Sequence, residues 1–555
     1  MASDFSIVES TVADVPVGDG EVEPDSWLVL LTVIAVAAVF VTYSLIVVPP
    51  PGVNEPHYLT KARSFADPEW CGKDFFLDSA DAHAVFFFFV GPLTKQLSFE
   101  TVAVTGRVLS LLLLACGWVM LGRRLGLNLS GVVAAAATLC LIAMTGNFSG
   151  EWVIGGFESK VPAYGFAFVG VAWWLDAGVL QNIRSYLKSA AMIGLAISWH
   201  PVVGAWFAIG MCLAEVVVFV GFRSLAQTSG RLVANGLASI TAVTVFALPG
   251  LIPALRLVLA SDVEPAVQDT ANKIQVFWRL AHHLDPSTFP IYSWVHVGVL
   301  LCIVVAGFVL LYRFRKIPGN FAVDHQRNAW LMLAALLGAA LLIALAGVLT
   351  GWHSTPFPNI PGWEWRARIL RYYPFRFLDA LLPCVCALLV GVACSRVIAR
   401  PEIKVSLWCF AVVPVLVFAP MVRQSVPRSY SVAAYSQWKL ACEWIRLNTA
   451  ADSLILAPRE SFGLKWFAER AEYVCVKDCP QDANGIVEWN QRLWRLHRWS
   501  ESSYQDKQFD NSDLVRLHKL TQVNYILTRK LGPFEAEPVF QNDWWRIYKV
   551  PSENQ

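Results

Sequence analysis

Residues 28–59 read LVLLTVIAVAAVFVTYSLIVVPPPGVNEPHYL. The first part is an apolar run long enough for the roughly 20 residues that a membrane-crossing helix requires. Directly after it, Asn54-Glu55-Pro56-His57-Tyr58-Leu59 sets a carboxylate beside an imidazole. That order predicts a helix leaving a bilayer into a chemically active surface loop. Asp74, Asp78, Asp81 and His83 follow before the next long apolar run, a dense polar set for one connection spanning 50–100.

Composition supports the same class. Hydrophobic residues make up 56% of the 555 residues and charged ones only 15%, with a mean hydropathy of +0.49. Such a chain has too little polar surface to solvate one ordinary core. Lys and Arg total 44 against 42 Asp and Glu, a net charge of +2, which argues against a nucleic-acid partner and against a polybasic lipid sensor.

Apolar runs stand near 28–49, 102–121, 130–146, 163–181, 232–260, 291–312, 329–350, 377–395 and 404–422. The stretch from Ser189 to Phe222 is too long for one crossing, because about 34 residues at a rise of about 1.5 Å exceed the hydrocarbon thickness of about 30 Å. Trp199-His200-Pro201 divides it, and basic residues flank both ends at Arg184, Lys188, Arg223 and Arg231. A hairpin returning to its starting side follows from the positive-inside rule. The expected architecture is a polytopic α-helical membrane protein of about 11 membrane segments. Arg123, Arg124, Arg313, Arg315, Lys316, Arg327, Arg396, Arg400 and Lys404 then share the cytoplasmic side with those flanks.

The opening 1–26 holds seven acids and no Lys or Arg, which suits an acidic disordered cytoplasmic tail better than a cleaved signal peptide. The multispanning domain is expected at 27–422. An odd number of segments puts 423–555 outside as a small extracytoplasmic α/β domain. There, Trp438, Ala441, Cys442 and Ile445 share a helical face within Tyr435–Leu447, and a second helical stretch covers Ile486–Arg498. Ser453–Ala457, Tyr473–Val476, Val523–Leu527 and Trp544–Tyr548 read as strands. Cys475 and Cys479 read equally as a tight disulfide pair or as free thiols.

The loops expected outside are chemically mixed. They carry Gly150-Glu151-Trp152, Glu158-Ser159-Lys160, His282-His283 and Arg371-Tyr372-Tyr373-Pro374-Phe375-Arg376. Guanidinium and ammonium groups hold phosphate, carboxylates take protons from hydroxyls, and aromatic rings stack on sugar faces. An amphiphilic donor could keep its lipid in the bilayer while its head group reaches this side.

In its carboxylate motif opening a long first outer loop, its expected eleven segments and the helix-then-strand entry to the terminal domain at Trp438–Pro458, the chain resembles the C-type glycosyltransferase (GT-C) superfamily. The resemblance implies an integral-membrane enzyme, a hexosyl- or pentosyltransferase, that uses a polyprenyl-phosphate sugar. Its partners would be a lipid-linked sugar donor and a glycan, lipid or protein acceptor. It would be a multi-pass protein of the plasma (inner) membrane, N-terminus cytoplasmic and C-terminal domain extracytoplasmic. Those enzymes often carry an acidic pair where this chain has Asn54-Glu55. The resemblance therefore implies Glu55 as base, with His57 and Asp74 as further catalytic candidates, and leaves a divalent metal short of one acid. Arg371 and Arg376 stand where the resemblance implies phosphate binding, and Lys160 and His282 are secondary candidates.

Each candidate also has a plainer reading. Glu55 also reads as a solvated loop acid, Asp74 and Asp78 as helix caps, and Arg371 and Arg376 as head-group anchors beside aromatic residues. Two other functions stay open: a transporter or flippase of a lipid-linked glycan, for which Glu215 inside an apolar run argues, and a catalytically inactive GT-C-like binding or assembly protein, for which Asn54 argues.

Overall fold

A computed structural model of the chain describes residues 26–551 apart from 53, 181, 222–228, 260–262, 314–320, 398–411, 425 and 428–429. The acidic opening, the basic residues Arg223, Arg315, Lys316, Arg400 and Lys404, and the first part of the run at 404–422 lie outside the described residues.

From the N-terminus come α1 (Ser26–Val47), then α2 (Glu55–Ala66), α3 (Phe75–Asp78) and α4 (Ala84–Gln96) of the first loop. Next are α5 (Phe99–Arg124), α6 (Leu129–Thr145), α7 (Lys160–Leu180), α8 (Ile183–Trp199), α9 (Pro201–Gly221) and α10 (Ser229–Val258). The helices α11 (Pro265–Lys273) and α12 (Ala281–Leu284), with a π-helical turn at Ile274–Arg279 between them, precede α13 (Ile291–Arg313), α14 (Phe321–Gly351), α15 (Trp363–Leu370), α16 (Arg376–Val397) and α17 (Val412–Val422).

Seven of these, α1, α5, α9, α10, α13, α14 and α16, are long and apolar enough to cross a membrane among the described residues. The count is below the expected eleven. Helices α6 and α8 have 17 residues each, α7 begins at Lys160 and carries Asp176, and α17 is described only from Val412. The expected hairpin is present: the chain is extended at His200 between α8 and α9, and Tyr186 near the start of α8 donates to Glu215 near the end of α9 at 3.2 Å. Small residues let neighbouring helices close up. A Cβ on Gly250 of α10 would lie 2.2 Å from the Ser198 carbonyl of α8.

Polar side chains gather at the two ends of the bundle. At one end Arg124 pairs with Asp176 at 2.5 Å, and Asn128 meets the Ser395 carbonyl at 3.3 Å. At the other end stand Glu55, Arg107, Lys160 and Arg376. From Lys160 to Asp176 along α7 is about 24 Å, and from Arg107 to Arg124 along α5 about 26 Å, at about 1.5 Å per residue. Both are close to the thickness of a bilayer's hydrocarbon core. Between them lies an apolar core that includes Trp118, Phe168, Trp174 and Phe207.

The terminal domain is a three-layer unit. Its strands β1 (Leu454–Leu456), β2 (Ala471–Glu472), β3 (Tyr525–Thr528), β4 (Phe540–Gln541) and β5 (Arg546–Lys549) lie in the order β2-β1-β3-β5-β4. β1 runs parallel to β2 and β3, and β5 antiparallel to β3 and β4. Side-chain alternation along a strand sends Leu454, Leu456 and Ile526 to one face and Ile455, Leu527 and Ile547 to the other. Helix α18 (Val432–Asn448) covers the second face with Trp438, Ala441, Cys442 and Ile445; α20 (Ala483–Ser503) and α21 (Asn511–Thr521) cover the first with Trp489, Leu493 and Leu517. Burial on both sides explains why β1 reads as an unbroken apolar run. The strand expected at Tyr473–Val476 lies instead at Ala471–Glu472; Cys475 is buried in a loop, where its carbonyl accepts from the Trp489 indole at 2.8 Å. Cys475 and Cys479 are buried free thiols.

Candidate functional site

Glu55 is fully buried at the first turn of α2. Its Oε1 accepts from Arg107 Nε at 2.7 Å and from the Phe157 amide at 2.6 Å. Its Oε2 accepts from Arg107 Nη2 at 2.7 Å and from the Gly52 amide at 2.5 Å. An ionised carboxylate offers about four lone-pair positions, and all are used. Arg107 Nη1 also reaches the Ser44 carbonyl at 3.1 Å and the Val48 carbonyl at 2.5 Å, fastening the loop to the end of α1. A Cβ on Gly156 would come within 3.1 Å of this carboxylate, so the 155–157 loop closes over it. Glu55 is thereby a tie among three segments, with no vacant position for an acceptor proton.

Its neighbour faces elsewhere. The Asn54 side chain does not cap α2; Nδ2 donates to Glu158 Oε2 at 2.8 Å, and Oδ1 accepts from Lys477 Nζ at 2.5 Å. Glu158 is 2% exposed, and its other oxygen accepts no hydrogen bond among the described residues, lying 3.6 Å from Lys160 Nζ. Burial raises the Glu158 carboxyl above the usual range, Lys160 draws it down, and Glu151 pushes it up again.

Lys160 and Arg376 meet at Glu151, at 2.8 and 2.6 Å. Burial alone would raise the Glu151 carboxyl, but Arg376 and Lys160 hold it below the usual range. Aromatic faces support both cations: Lys160 lies 3.7 Å from the Trp152 ring centroid and Arg376 4.2 Å from that of Tyr373. One turn along α16, Asp379 accepts from the amides of Phe148, Ser149 and Glu151 at 2.7, 2.8 and 2.9 Å, which sets the loop that carries Glu151. His283 bonds the Ser149 carbonyl, and burial beside His282 pushes its imidazole down to about 3. A cavity of about 150 Å³ borders Asn54, Glu158, Trp152 and Gln424.

His57 and Asp74 belong to a different cluster, which docks the terminal domain. The helix α19 (Leu464–Ala468) brings Lys465 to 2.7 Å from Asp478, 3.3 Å from Asp74 and 3.4 Å from Glu472. His57 Nδ1 meets Asp478 Oδ1 at 2.9 Å. Asp74 caps α3 through the Leu77 amide at 3.0 Å and accepts from the Glu472 amide at 2.8 Å. Ligand atoms of Glu472, Cys475 and Asp478 lie within 4.8 Å of one another, spacing that a metal ion could use. The Lys465 ammonium already supplies the positive charge there, so the donor set suits a lysine better than a divalent ion.

Burial alone would raise the Asp478 carboxyl, yet Lys465 and His57 hold it well below the usual range. Its contribution to docking is therefore present above the ordinary aspartate value of about 4 and fades as pH falls through the lower folded value. Lys465→Met should cost about 3–5 kcal/mol, because buried Asp74 and Glu472 and partly buried Asp478 lose their counter-charge. Limited proteolysis at neutral pH checks this: the variant is expected to release the terminal domain faster than the intact chain.

Of the remaining candidates, Arg371 turns aside to Asn272 at 2.9 Å, and the ring of exposed His282 lies 4.0 Å from that of His283, tilted by 42°. Lys160 and Arg376 do converge, on Glu151, whereas Glu55 is bonded to Arg107 and to the Gly52 and Phe157 amides. Sequence reasoning passed over Arg107, Asp379, Lys465, Lys477 and Asp478 as site residues. For Arg107 and Asp379 a signal existed: an ionisable group within an apolar helix is costly and needs a buried partner.

Fold and composition define a membrane-embedded helical protein whose charged end meets an α/β domain. Residues 436–496 match the model of a family described as a domain of unknown function, DUF6798. That stretch holds Lys465, Glu472, Lys477 and Asp478. No curated protein matches the chain.

Proposed function

We propose that this chain is an integral-membrane, GT-C-like glycosyltransferase that moves a sugar from a polyprenyl-phosphate donor to an acceptor at the charged end of the bundle. The observation that carries the reading is the buried carboxylate of Glu158, whose Oε1 accepts no hydrogen bond among the described residues and lies 3.6 Å from Lys160, with Lys477 and, through Glu151, Arg376 nearby. The acceptor hydroxyl oxygen would bond to the anomeric carbon as the bond from that carbon to the phosphate oxygen breaks. The bonding pair leaves with the phosphate, toward Lys477 and Lys160, and the hydroxyl proton passes to Glu158. In this reading Glu158 takes the role that the resemblance implies for Glu55.

The charged end and the terminal domain would face outward from the plasma membrane, and Arg123, Arg124 and Lys188 at the opposite end support that orientation. Lys477→Ala tests the phosphate side. Lys477 is exposed, and among the described residues its ammonium bonds Asn54 and forms no ion pair, so the variant should fold normally. Losing one charged hydrogen bond of about 1.5–3 kcal/mol in the transition state should slow transfer about 10- to 150-fold. An unchanged rate would remove Lys477 from the phosphate site.

A second reading, a lipid-linked-glycan binding or assembly protein, is favoured by Glu151, which already pairs with both Lys160 and Arg376. The transporter reading loses its main support, since Glu215 is held by Trp174 at 2.7 Å and by Tyr186 at 3.2 Å, near the opposite end of the bundle.

A further inference from the structure

A larger cavity, about 700 Å³, lies apart from the one at Glu158, between the first outer loop, the end of α10 and the start of α20. That volume falls in the range of small-molecule sites. Its polar lining is acidic: Asp74, Asp78, Asp81 and Asp482, against Lys61 and Arg256. The Lys61 ammonium is already spent on the Phe76 and Ser79 carbonyls, each at 2.6 Å, and the Ser79 hydroxyl at 2.8 Å. Arg256 is exposed at the rim. Asp74 and Asp81 are likewise engaged, by Lys465 at 3.3 Å and by His83 at 2.7 Å, so Asp78 and Asp482 remain as the carboxylates that offer acceptors to hydroxyl groups.

The other wall is apolar, formed by Phe65, Phe87, Leu257 and Val263. It continues into an exposed apolar surface on α4 and α10, where Phe88 and Phe89 are 65% and 58% exposed and Leu255 42%. Surface of that kind at the end of a membrane-crossing helix belongs against lipid. Polar contacts join the cavity to the charged centre. Asp81 meets His83 at 2.7 Å, the rings of His83 and His200 lie 4.8 Å apart, and His200 meets Arg376 at 3.4 Å.

We infer that this acidic, half-apolar cavity binds the uncharged polyhydroxylated head group of a membrane-resident glycolipid, and that this glycolipid is the acceptor. Its role as acceptor rests on the transferase reading; its binding does not. Donor and acceptor are then sorted by charge, the lipid phosphate to the cationic centre and the neutral polyol to the acidic cavity. Asp78 and Asp482 accept head-group hydroxyls while the alkyl chain leaves past Phe65 and Leu257 into the bilayer.

The test is equilibrium binding of a radiolabelled octyl diglycoside, below its micelle concentration, to the full chain in lipid nanodiscs. Ala80 lines the cavity on an exposed turn, so Ala80→Trp fills it without entering the core. Binding by the intact chain, weakened about tenfold or more by Ala80→Trp and by Asp78→Asn combined with Asp482→Asn, supports the proposal. Asparagine still caps α20, so the second variant removes charge and keeps the helix start. Free disaccharide that binds as tightly as the octyl compound overturns the lipid source. Octyl phosphate that binds more tightly, and is displaced by Ala80→Trp, overturns the polyol assignment. Binding that Ala80→Trp leaves unchanged overturns the site. Glycoside binding without any sugar transfer would refute the transferase reading and leave the site standing.

Discussion

Arg107→Met is expected to lower the unfolding free energy by about 3–5 kcal/mol, the cost of leaving one member of a buried ion pair unpaired. The substitution strips two of four hydrogen bonds from the Glu55 carboxylate and removes the Arg107 bonds to the Ser44 and Val48 carbonyls. α1, the first loop and the 155–157 loop then lose their common anchor. Combining Arg107→Met with Glu55→Leu removes both charges and should recover part of the loss, the remainder being the cost of the Gly52 and Phe157 amides left without their acceptor. Melting temperatures of the full chain in one detergent check both parts. A single variant as stable as the parent would mean that the Glu55–Arg107 pair is not what holds the loop.

Glu158→Gln is expected to abolish most sugar transfer, by about 10²- to 10⁴-fold, the usual contribution of a positioned general base. The hydrogen bond from Asn54 can persist, because the glutamine carbonyl still accepts. Only the ionised carboxylate can take the acceptor proton, and burial has raised its carboxyl. Transfer should therefore decline as pH falls through a value above the ordinary glutamate pKa of about 4.3. Stability moves the other way. A carboxyl raised in the folded state favours folding below its unfolded pKa and loses that contribution as pH rises through the folded value. Glutamine at neutral pH should thus cost little stability, so lost transfer with an unshifted melting temperature separates chemistry from folding.

Much of the architecture was legible because it rests on local pattern. The apolar runs that became α1, α5, α10, α13, α14 and α16 announce themselves by length, and the strands at Leu454–Leu456 and Tyr525–Thr528 by short buried runs. Tyr473–Val476 misled for a physical reason: its apolar residues are buried beneath α20 in a loop, and burial without a ladder looks the same in a sequence. The sequence of the segment at Asn54-Glu55 does not reveal what its two side chains hold. Glu55 is engaged by Arg107, 52 positions on, and Asn54 by Glu158, 104 positions on. Asp74 and Lys465 meet across most of the chain. No periodicity encodes such pairings; only the folded arrangement decides which carboxylate has all its acceptor positions filled.

The most direct test is transfer from a pool of radiolabelled polyprenyl-phosphate sugars in membranes that contain the intact chain or Glu158→Gln at matched abundance. The account predicts label moving from the lipid phosphate to an acceptor with the intact chain and nearly none with the variant. Equal transfer by both, or none by the intact chain from any donor in the pool, would contradict it.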